Sequence, residues 1–502
     1  MSENHTVADN TISGGGAQPA SQRRFFVLLA VVLVCIVLPW VSIQDHPLYP
    51  PDEGRYAAGS RSMVESGNVL YPTLYGRPHL TKPPLVYWLQ GIGIRVLGPT
   101  ELAVRWPGVL AASLIMVLTL WFGRLVHGWA GREGGSGPDP PAGVISIAIL
   151  AVMPVFMLVA RLAITDAVLG LFWFGALVFG YRALDVSASR LGPRVCSACL
   201  MWVCIALGLL TKGPLAVSPL VVLIVWGILS GRTWQVLKWL QPWFGLPLAL
   251  VPVGWWVYEV LAHYPEAREI WLHETVDRAT GEGEHVAPFL FYIPVFLAGV
   301  FPATAIMTWP WLNYGWRDMW HSLRAGTVHS LLMVSVLLPL IVLSFISGKL
   351  PTYIFPLAPS AALLSAGLMI KWVRGTGEEE LSADASDRRY RVPTLMPGLA
   401  VISLCIALGA IGYGVFAQFV KAEPIAYAVP PTMLAVPLLV LPIAAFWAAG
   451  RLEAAGLGAG DGARCCWSSG SLVSPVCCGG TSLRIRCGSK RTVPSWQRAS
   501  SR

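Results

Sequence analysis

Charged residues are scarce in this sequence. Asp, Glu, Lys and Arg make up 13% of its 502 residues, whereas 55% of the residues are hydrophobic and the mean hydropathy is +0.60. This composition excludes a disordered or collagen-like chain, and it is too apolar for a series of three or four soluble domains. It indicates an integral membrane protein.

The sequence also lacks the motifs of several common soluble enzymes. It has no P-loop, no GxGxxG motif in a βαβ unit, no GxSxG motif and no HExxH motif. These absences exclude the corresponding nucleotide, dinucleotide, hydrolase and zinc-protease sites. The ten cysteines are few for this length, and five of them lie in the last 38 residues, so a disulfide-stapled secreted module is excluded as well.

Long apolar runs are what the chain has in abundance. A spanning helix needs about 17–25 predominantly apolar residues, and twelve segments come close to this length. They are 25–43, 106–123, 142–160, 167–181, 195–211, 214–230, 240–258, 287–312, 327–347, 351–370, 393–420 and 427–450. The shorter apolar stretch 83–94 predicts a helix at the membrane interface. We therefore expect an all-α integral membrane protein, a multi-span helical bundle of about 12 spans.

Basic residues predict how the spans are oriented. Arg23 and Arg24 precede the first span and Asp45 follows it, which predicts a cytoplasmic N-terminus. From that start, the cytoplasmic segments before the last span hold 16 Lys and Arg, against six in the outward segments after the first long loop. The first span is predicted to be an uncleaved anchor, because its apolar run is long and no A-x-A site follows. Every polar cluster suggestive of chemistry then falls on the outer face.

The first outer loop, residues 44–105, is the most informative segment. Asp52 and Glu53 follow a Pro-Pro pair and precede a short amphipathic helix predicted at about 55–65. Carboxylates at a membrane surface suggest a base, a metal ligand or a helix N-cap, and for Asp52 capping and function both remain open. Lys82 lies between the polar loop and the interfacial helix, where an ammonium either meets a lipid phosphate or snorkels to the interface.

Two later clusters add ionisable residues to the same face. Arg161 and Asp166 lie between two spans, and such a pair is either functional or a structural ion pair. Lys212 lies in a Gly-Pro turn that does not require it, with snorkelling as the alternative. A divalent cation held by Asp52 and Asp166 is the one cofactor that the residues leave open.

The remaining outward residues lie in two segments. The loop 263–286 holds His263, His273 and His285 without compact metal-ligand spacing, so a solvated loop is favoured over a metal site. Lys349 and Tyr353 begin a proline-interrupted span. Outward lysines and arginines around a carboxylate pair indicate an anionic ligand, and a phosphate-bearing lipid fits best. We expect no nucleic acid as a partner.

Several of these runs together resemble a known family. PDEGRYAAGS and HLTKPPLVYWL, then ARLAITD, LLTKGPLA, HETVDRATGEGEHVAPF and SGKLPTYIFPLAP, occur in this order between about residues 45 and 370. They resemble the aminoarabinose transferase and dolichyl-phosphate-mannose-protein mannosyltransferase superfamily of bacterial GT-C glycosyltransferases. The resemblance implies a multi-pass enzyme of the inner (plasma) membrane, with juxtamembrane helices in a periplasmic first loop. It would transfer a sugar, with inversion, from a polyprenyl-phosphate donor of undecaprenyl-phosphate type to a lipid A-like, protein or other envelope acceptor.

The resemblance also implies residue roles. Asp52 would be the main catalytic acidic residue, Asp166 the second, and Glu53 is a further catalytic candidate beside Asp52. Lys82 and Arg278 would contact the donor phosphate, although HETVDRA departs from the aromatic-rich pattern that the family usually has around this arginine. Further substrate-binding candidates in the same motifs are Arg55, Tyr56, Lys212, His285, Lys349 and Tyr353.

We divide the chain into three parts: a cytoplasmic tail (1–24), a GT-C transmembrane catalytic domain (25–450) and a basic, Cys-rich tail (451–502). Residues 463–502 hold seven basic and no acidic residues, so they supply +7 of the net charge of +9. We interpret this tail as a truncated or frame-shifted end, with a metal-binding or disulfide-forming tail as the alternative.

Two other functions fit the sequence less well than the transferase does. A multi-span lipid or sugar transporter or flippase would have charged residues along the span interiors and internal repeats, and the sequence has neither. A scaffold protein would leave the one-sided polar cluster unexplained. The sequence therefore favours the transferase.

Overall fold

The computed structural model of the protein describes residues 18–129, 142–184, 191–280, 286–307 and 316–378. Nearly all of this part of the chain is helical. The helices are α1 (Gln18–Val37), α2 (Asp52–Ser66), α3 (Leu85–Leu97), α4 (Glu101–Trp129), α5 (Ala142–Ala151), α6 (Pro154–Ala160), α7 (Thr165–Leu184), α8 (Leu191–Lys212), α9 (Ser218–Leu229), α10 (Thr233–Leu240), α11 (Pro242–His263), α12 (Ala267–Thr280), α13 (Tyr292–Gly299), α14 (Trp316–Arg324), α15 (Val328–Phe345) and α16 (Ala358–Glu378). Two short strands, β1 (Thr73–Leu74) and β2 (Arg77–Pro78), form an antiparallel hairpin in the first loop.

Six helical stretches in the described ranges are long and apolar enough to cross a membrane. They are Glu101–Arg124, Thr165–Leu184, Leu191–Leu229, Pro242–His263, Val328–Phe345 and Pro351–Ile370. Shorter apolar helices, Phe25–Trp40 and Phe289–Gly299, occur where the sequence predicts the first and eighth spans. The predicted spans 393–420 and 427–450 lie outside the described residues. The multi-span all-α class is confirmed, and the number of about 12 spans stays a prediction.

The stretch Leu191–Leu229 contains two antiparallel helices. Helices α8 and α9 are joined by a 3-10 turn that begins at Gly213, whose φ of 73° is readily adopted only by glycine. Met201 on α8 and Leu223 on α9 both lie against Gly180 of α7. These two residues are 22 positions apart in sequence but lie beside the same glycine, so the chain must reverse its direction between them. The turn predicted around Lys212 is confirmed.

The third predicted span, 142–160, is not one straight helix. Helices α5 and α6 meet at a bend of 70°. Met153 at the break has extended backbone (φ −71°, ψ 123°), as the residue before a proline prefers, and Pro154 occupies the first turn of α6. Whether this bent pair crosses the membrane as one span stays a prediction.

Helix α7 lies at the centre of the bundle, packed by α4, α8 and α9. Gly170 on α7 lies under the Phe355 ring, which stacks on Phe156 at 5.3 Å between ring centroids. Nearby, α4 and α5 cross at Gly123 and Gly143, where a Cβ on Gly123 would lie 2.4 Å from the Gly143 Cα. Small residues at such crossings let helix backbones approach closely. The first residues of α7, which carry Asp166, therefore start from a rigid core.

The segment of the first loop between α2 and α3 is held by three tryptophan side chains, one on α3 of the same loop and two on later helices. Their indole N–H groups donate to main-chain carbonyls of the loop: Trp88 to Val69 (2.7 Å), Trp256 to Leu70 (2.8 Å) and Trp271 to Leu80 (2.7 Å). These bonds join the loop to α3, α11 and α12. Helices α2 and α3 confirm the two juxtamembrane helices expected in this loop, and the loop that carries Lys82 is held in place between them.

Candidate functional site

Asp52 is the first residue of α2 and faces solvent. Its side chain is 66% exposed, and the Arg55 guanidinium lies 3.7 Å from its Oδ1 atom. The N-cap position belongs to Pro51 and has no side-chain cap bond, so the interpretation of Asp52 as a helix cap is wrong. A carboxylate in the first turn still interacts favourably with the helix dipole.

Glu53, the next residue, is in the opposite situation. Its side chain is 1% exposed, and its two oxygens accept four hydrogen bonds. Arg105 donates through Nε (2.9 Å) and Nη2 (2.7 Å), and the main-chain N–H groups of Tyr49 (2.8 Å) and Ala163 (2.6 Å) donate the other two. A carboxylate offers about four lone-pair sites, so Glu53 has none left for a substrate proton. Asp52 is the carboxylate of this pair that a ligand can reach.

Arg105, on α4, is equally saturated. Besides its two bonds to Glu53, it donates through Nη1 to the carbonyls of Ile43 (2.9 Å) and His46 (2.8 Å), and through Nη2 to that of Pro47 (2.8 Å). All five N–H donors of the guanidinium are thereby used. Arg105 thus joins the chain after the first helix, the start of α2 and α4 at one buried point.

Asp166 and Lys212 form a buried ion pair. The Lys212 Nζ atom lies 2.7 Å from Asp166 Oδ1, and both side chains are more than 90% buried. The same Nζ atom lies 4.7 Å from the centre of the Tyr353 ring, a distance suited to a cation–π interaction. The structure therefore brings together three residues from three separate predicted motifs. Arg161, expected near Asp166 by sequence, donates instead to the Ser42 carbonyl (2.9 Å).

Tyr56 is a buried residue of α2 on which the charges of both Asp52 and Asp166 act. Burial raises the pKa of its phenol, and the charges of Asp166 and Asp52 raise it further. A side-chain hydrogen bond with Thr165 and the charge of Arg55 act in the opposite direction. The phenol therefore stays protonated at neutral pH. It can donate or accept a hydrogen bond close to both carboxylates.

Lys82 forms an ion pair with Glu274 of α12, and both side chains are partly exposed. His79 lies close to the same pair. Burial lowers the pKa of His79, the charges of Arg55 and Lys82 lower it further, and Glu274 opposes them. At neutral pH this part of the site therefore presents two cations, one carboxylate and a neutral imidazole.

The other predicted binding residues are placed differently. Lys349 is buried, and its ammonium donates to the main-chain carbonyls of Ala287 (3.1 Å) and Ile346. Burial lowers the pKa of this ammonium. These contacts tie the segment that begins at residue 286 to the loop before the last described span. The Arg278 side chain and His285 lie outside the described residues.

A metal centre was left open by sequence. Across the described ranges, no three His, Cys, Asp or Glu side chains are arranged to hold a metal ion. One Asp166 oxygen is engaged by Lys212. A cation shared by Asp52 and Asp166 stays a prediction.

Sequence reasoning missed Arg105, Gln90 and Ser60, all of which are buried and hydrogen-bonded close to Glu53. A signal for two of them was present. Gln90 is an isolated amide in a short apolar helix, and Arg105 is a lone cation at the start of a long apolar one. Such residues are expensive near a bilayer unless they have partners.

Comparison with known proteins finds the family that the sequence motifs resemble. Residues 81–258 match the family described as dolichyl-phosphate-mannose-protein mannosyltransferase. A protein of Aeromonas salmonicida (strain A449), named undecaprenyl phosphate-alpha-4-amino-4-deoxy-L-arabinose arabinosyl transferase, is 29% identical over 390 residues, covering 76% of this chain and 65% of the relative. One of the same name from Erwinia tasmaniensis is 30% identical, covering 69% of this chain and 59% of the relative. In sequence, the chain is similar to the aminoarabinose transferase and protein mannosyltransferase superfamily.

The fold of this chain is similar to that of a solved structure. ArnT from Cupriavidus metallidurans, determined bound to undecaprenyl phosphate, superposes with a TM-score of 0.60 at 20% identity, over 87% of this chain and 76% of that one. The GT-C multi-span architecture implied by the sequence motifs is thereby confirmed. The chain spans 65% and 59% of the lengths of the two curated relatives described above.

Proposed function

We propose that the protein is an inverting membrane glycosyltransferase that moves a sugar from a polyprenyl-phosphate carrier to a lipid A-like, protein or other envelope acceptor. One observation carries this proposal: the solvent-facing carboxylate Asp52 and the buried Asp166, which is paired with Lys212, both act through their charges on the Tyr56 phenol. The names of the relatives, which specify an undecaprenyl-phosphate-linked aminoarabinose, support a carrier of that type.

The reaction is a single displacement at the anomeric carbon. An acceptor oxygen forms a bond to that carbon as the bond to the carrier phosphate breaks, and the departing polyprenyl phosphate keeps the electron pair. Negative charge therefore grows on the phosphate. Lys82 would stabilise this charge, because an ammonium at a partly buried site interacts strongly with a developing anion. Attack from the opposite side inverts the configuration.

Asp52 has one of two roles, depending on the acceptor. A hydroxyl acceptor must lose its proton, and the exposed Asp52 carboxylate can take it. A phosphate acceptor is already ionised at neutral pH, in which case Asp52 orients it or holds a cation. Glu53 lacks a free lone pair, so we assign it a positioning role rather than proton transfer. Asp166, neutralised by Lys212, would hold the sugar or the acceptor by hydrogen bonds.

We place the N-terminus in the cytoplasm and the site on the periplasmic side of a bacterial inner membrane. The excess of Lys and Arg in alternate loops supports this orientation. Tyr75, at the tip of the β1–β2 hairpin, is fully exposed, and a Tyr75→Cys variant tests it. A membrane-impermeant maleimide added to intact spheroplasts should label this cysteine. Labelling that requires permeabilised membranes would contradict the proposed side.

The activity is tested in a strain that lacks the protein and is complemented with variants. Mass spectrometry of envelope lipids and glycoproteins should show one sugar modification that disappears in the deletion strain and returns with the wild type. Asp52→Asn should give an inserted, normally abundant protein that does not restore it. Asp45→Asn is the matched control, because Asp45 is an exposed carboxylate of the same loop. No change in any envelope sugar would refute the transferase, and restoration by Asp52→Asn would refute the role of Asp52.

A further inference from the structure

Gln90 lies at the centre of a buried polar network beneath the candidate site. The Ser60 hydroxyl donates to its Oε1 atom (2.7 Å), and its Nε2 atom donates to the carbonyls of Val104 (3.0 Å) and Ala163 (3.3 Å). Both amide hydrogens are therefore used, and the side chain is 1% exposed. Such a network, when complete, fixes the relative positions of the elements that it joins. Here these elements are α2, α3, α4 and the loop between α6 and α7.

Ala163 is the point where this network meets Glu53. The Ala163 N–H donates to Glu53 Oε1 (2.6 Å), and its carbonyl accepts from Gln90. Side chains of two different helices thus hold both main-chain polar groups of one residue in a loop. Asp166 follows three residues later, in the first turn of α7. Glu53 itself is adjacent to Asp52, so this single clamp joins the chain positions of the two candidate catalytic carboxylates.

We propose that Gln90 is a positioning residue that sets Asp166 against Asp52 by holding the Ala163 carbonyl, while Glu53 holds the Ala163 N–H group. This inference rests on the proposed function for the identity of the two carboxylates. It assigns a role to a residue that lies outside the sequence motifs described above. The Gln90 amide is buried and cannot contact a substrate itself. It acts on Asp166 through the loop that contains Ala163.

The central test combines Gln90→Met with Asp166→Asn. Methionine has a similar length but no donor, so the Ala163 and Val104 carbonyls lose their partner and the loop shifts. Sugar transfer by the purified full chain should show kcat reduced about ten- to a hundredfold, since misplacement of about 1 Å can cost about a hundredfold. The KM for the polyprenyl-phosphate donor should stay unchanged. In an Asp166→Asn background, Gln90→Met should cause little further loss, because both act on the same group.

Ser113→Ala is the matched control. Ser113 is a buried polar residue of α4 that bonds Trp40 and the Ile36 carbonyl, outside the Gln90 network. It should weaken packing of the first helix and leave kcat unchanged. Comparable kcat losses in Ser113→Ala and Gln90→Met would show a general structural effect and overturn the proposal. Equal fold losses from Gln90→Met in the wild-type and Asp166→Asn backgrounds would also overturn it.

Hydrogen exchange gives a readout that does not depend on residual activity. In Gln90→Met, amide exchange should rise in the peptide containing residues 161–166, because the Ala163 region loses one of its two anchors. A fall in kcat without faster exchange in this peptide would overturn the proposal. Full activity of Asp166→Asn alone, with the loss from Gln90→Met intact, would instead refute the proposed role of Asp166. The two failures are therefore distinguishable.

Discussion

Replacing Arg105 with methionine should be among the most destabilising substitutions in the described part of the chain. The change removes five hydrogen bonds at once and leaves the Glu53 carboxylate buried with only its two main-chain donors. Three carbonyls in the segment before α2 also lose their donor. Methionine fills most of the arginine volume, so the loss is of charge and hydrogen bonding rather than of packing.

The magnitude follows from the burial of the pair. Removing one partner of a buried ion pair costs about 3–5 kcal/mol, because the other charge stays in a medium of low dielectric constant. A cavity of about 20 Å³ lies beside Arg105, which is room for one water molecule. That water can hydrogen-bond to some of the carbonyls that lose Arg105. We therefore expect the total loss of folding free energy to stay within about 3–5 kcal/mol, without the full additional cost of each unsatisfied carbonyl.

The assay is the free energy of unfolding in mixed micelles of detergent and dodecyl sulfate. Arg61→Met is the matched control, because Arg61 pairs with Glu65 at an exposed position on α2, and it should leave the unfolding midpoint unchanged. The double variant Arg105→Met/Glu53→Gln should be more stable than Arg105→Met alone, since it removes the stranded charge. A double variant destabilised by the sum of its single changes would refute the reasoning.

Two further predictions concern the Lys82 end of the site. Glu274→Gln removes the carboxylate that competes with phosphate for Lys82, so a short-chain polyprenyl phosphate should bind about two- to fivefold more tightly by calorimetry, within the range of a partly exposed pair. Glu269→Gln, the same change at an exposed position on α12, should have no effect, and weaker binding by Glu274→Gln would contradict the competition. The pKa of His79 is lower in the folded protein than in the unfolded chain. The contribution of His79 to stability is therefore fully present above about pH 6.5 and is lost as the pH falls. The thermal midpoint should fall more in the wild type than in His79→Gln between pH 6.5 and 5, and equal slopes would contradict this.

Much of the fold could be predicted because the relevant signals are local. Runs of apolar residues set the spans, and the amphipathic stretch after Asp52 and the short apolar stretch after Lys82 set α2 and α3. The bend between α5 and α6 was missed although Pro154 marks it. A proline in an apolar run is compatible with both a straight and a broken span, and only the packing around it decides between them.

The candidate site was predictable as a set of residues but not as a set of pairs. Positive-inside counting brought Asp166, Lys212 and Tyr353 to one face, and the structure places them in contact. Which partner each charge takes depends on distances between segments far apart in sequence. Glu53 shows this most clearly: it stands next to Asp52 in the same motif, yet its rotamer directs it into the bundle, where Arg105 and two amides occupy it.

The mutual saturation of Glu53 and Arg105 also limits how this protein can diversify. Asp52 can be exchanged without disturbing a neighbour in the interior, whereas a change at position 53 or 105 is tolerated only together with a change at the other. These two positions should therefore vary as a pair among related chains. A library that aims at a new acceptor should randomise the residues around Tyr56 and keep this pair fixed, since each variant that breaks it would lose about 3–5 kcal/mol of stability whatever its specificity.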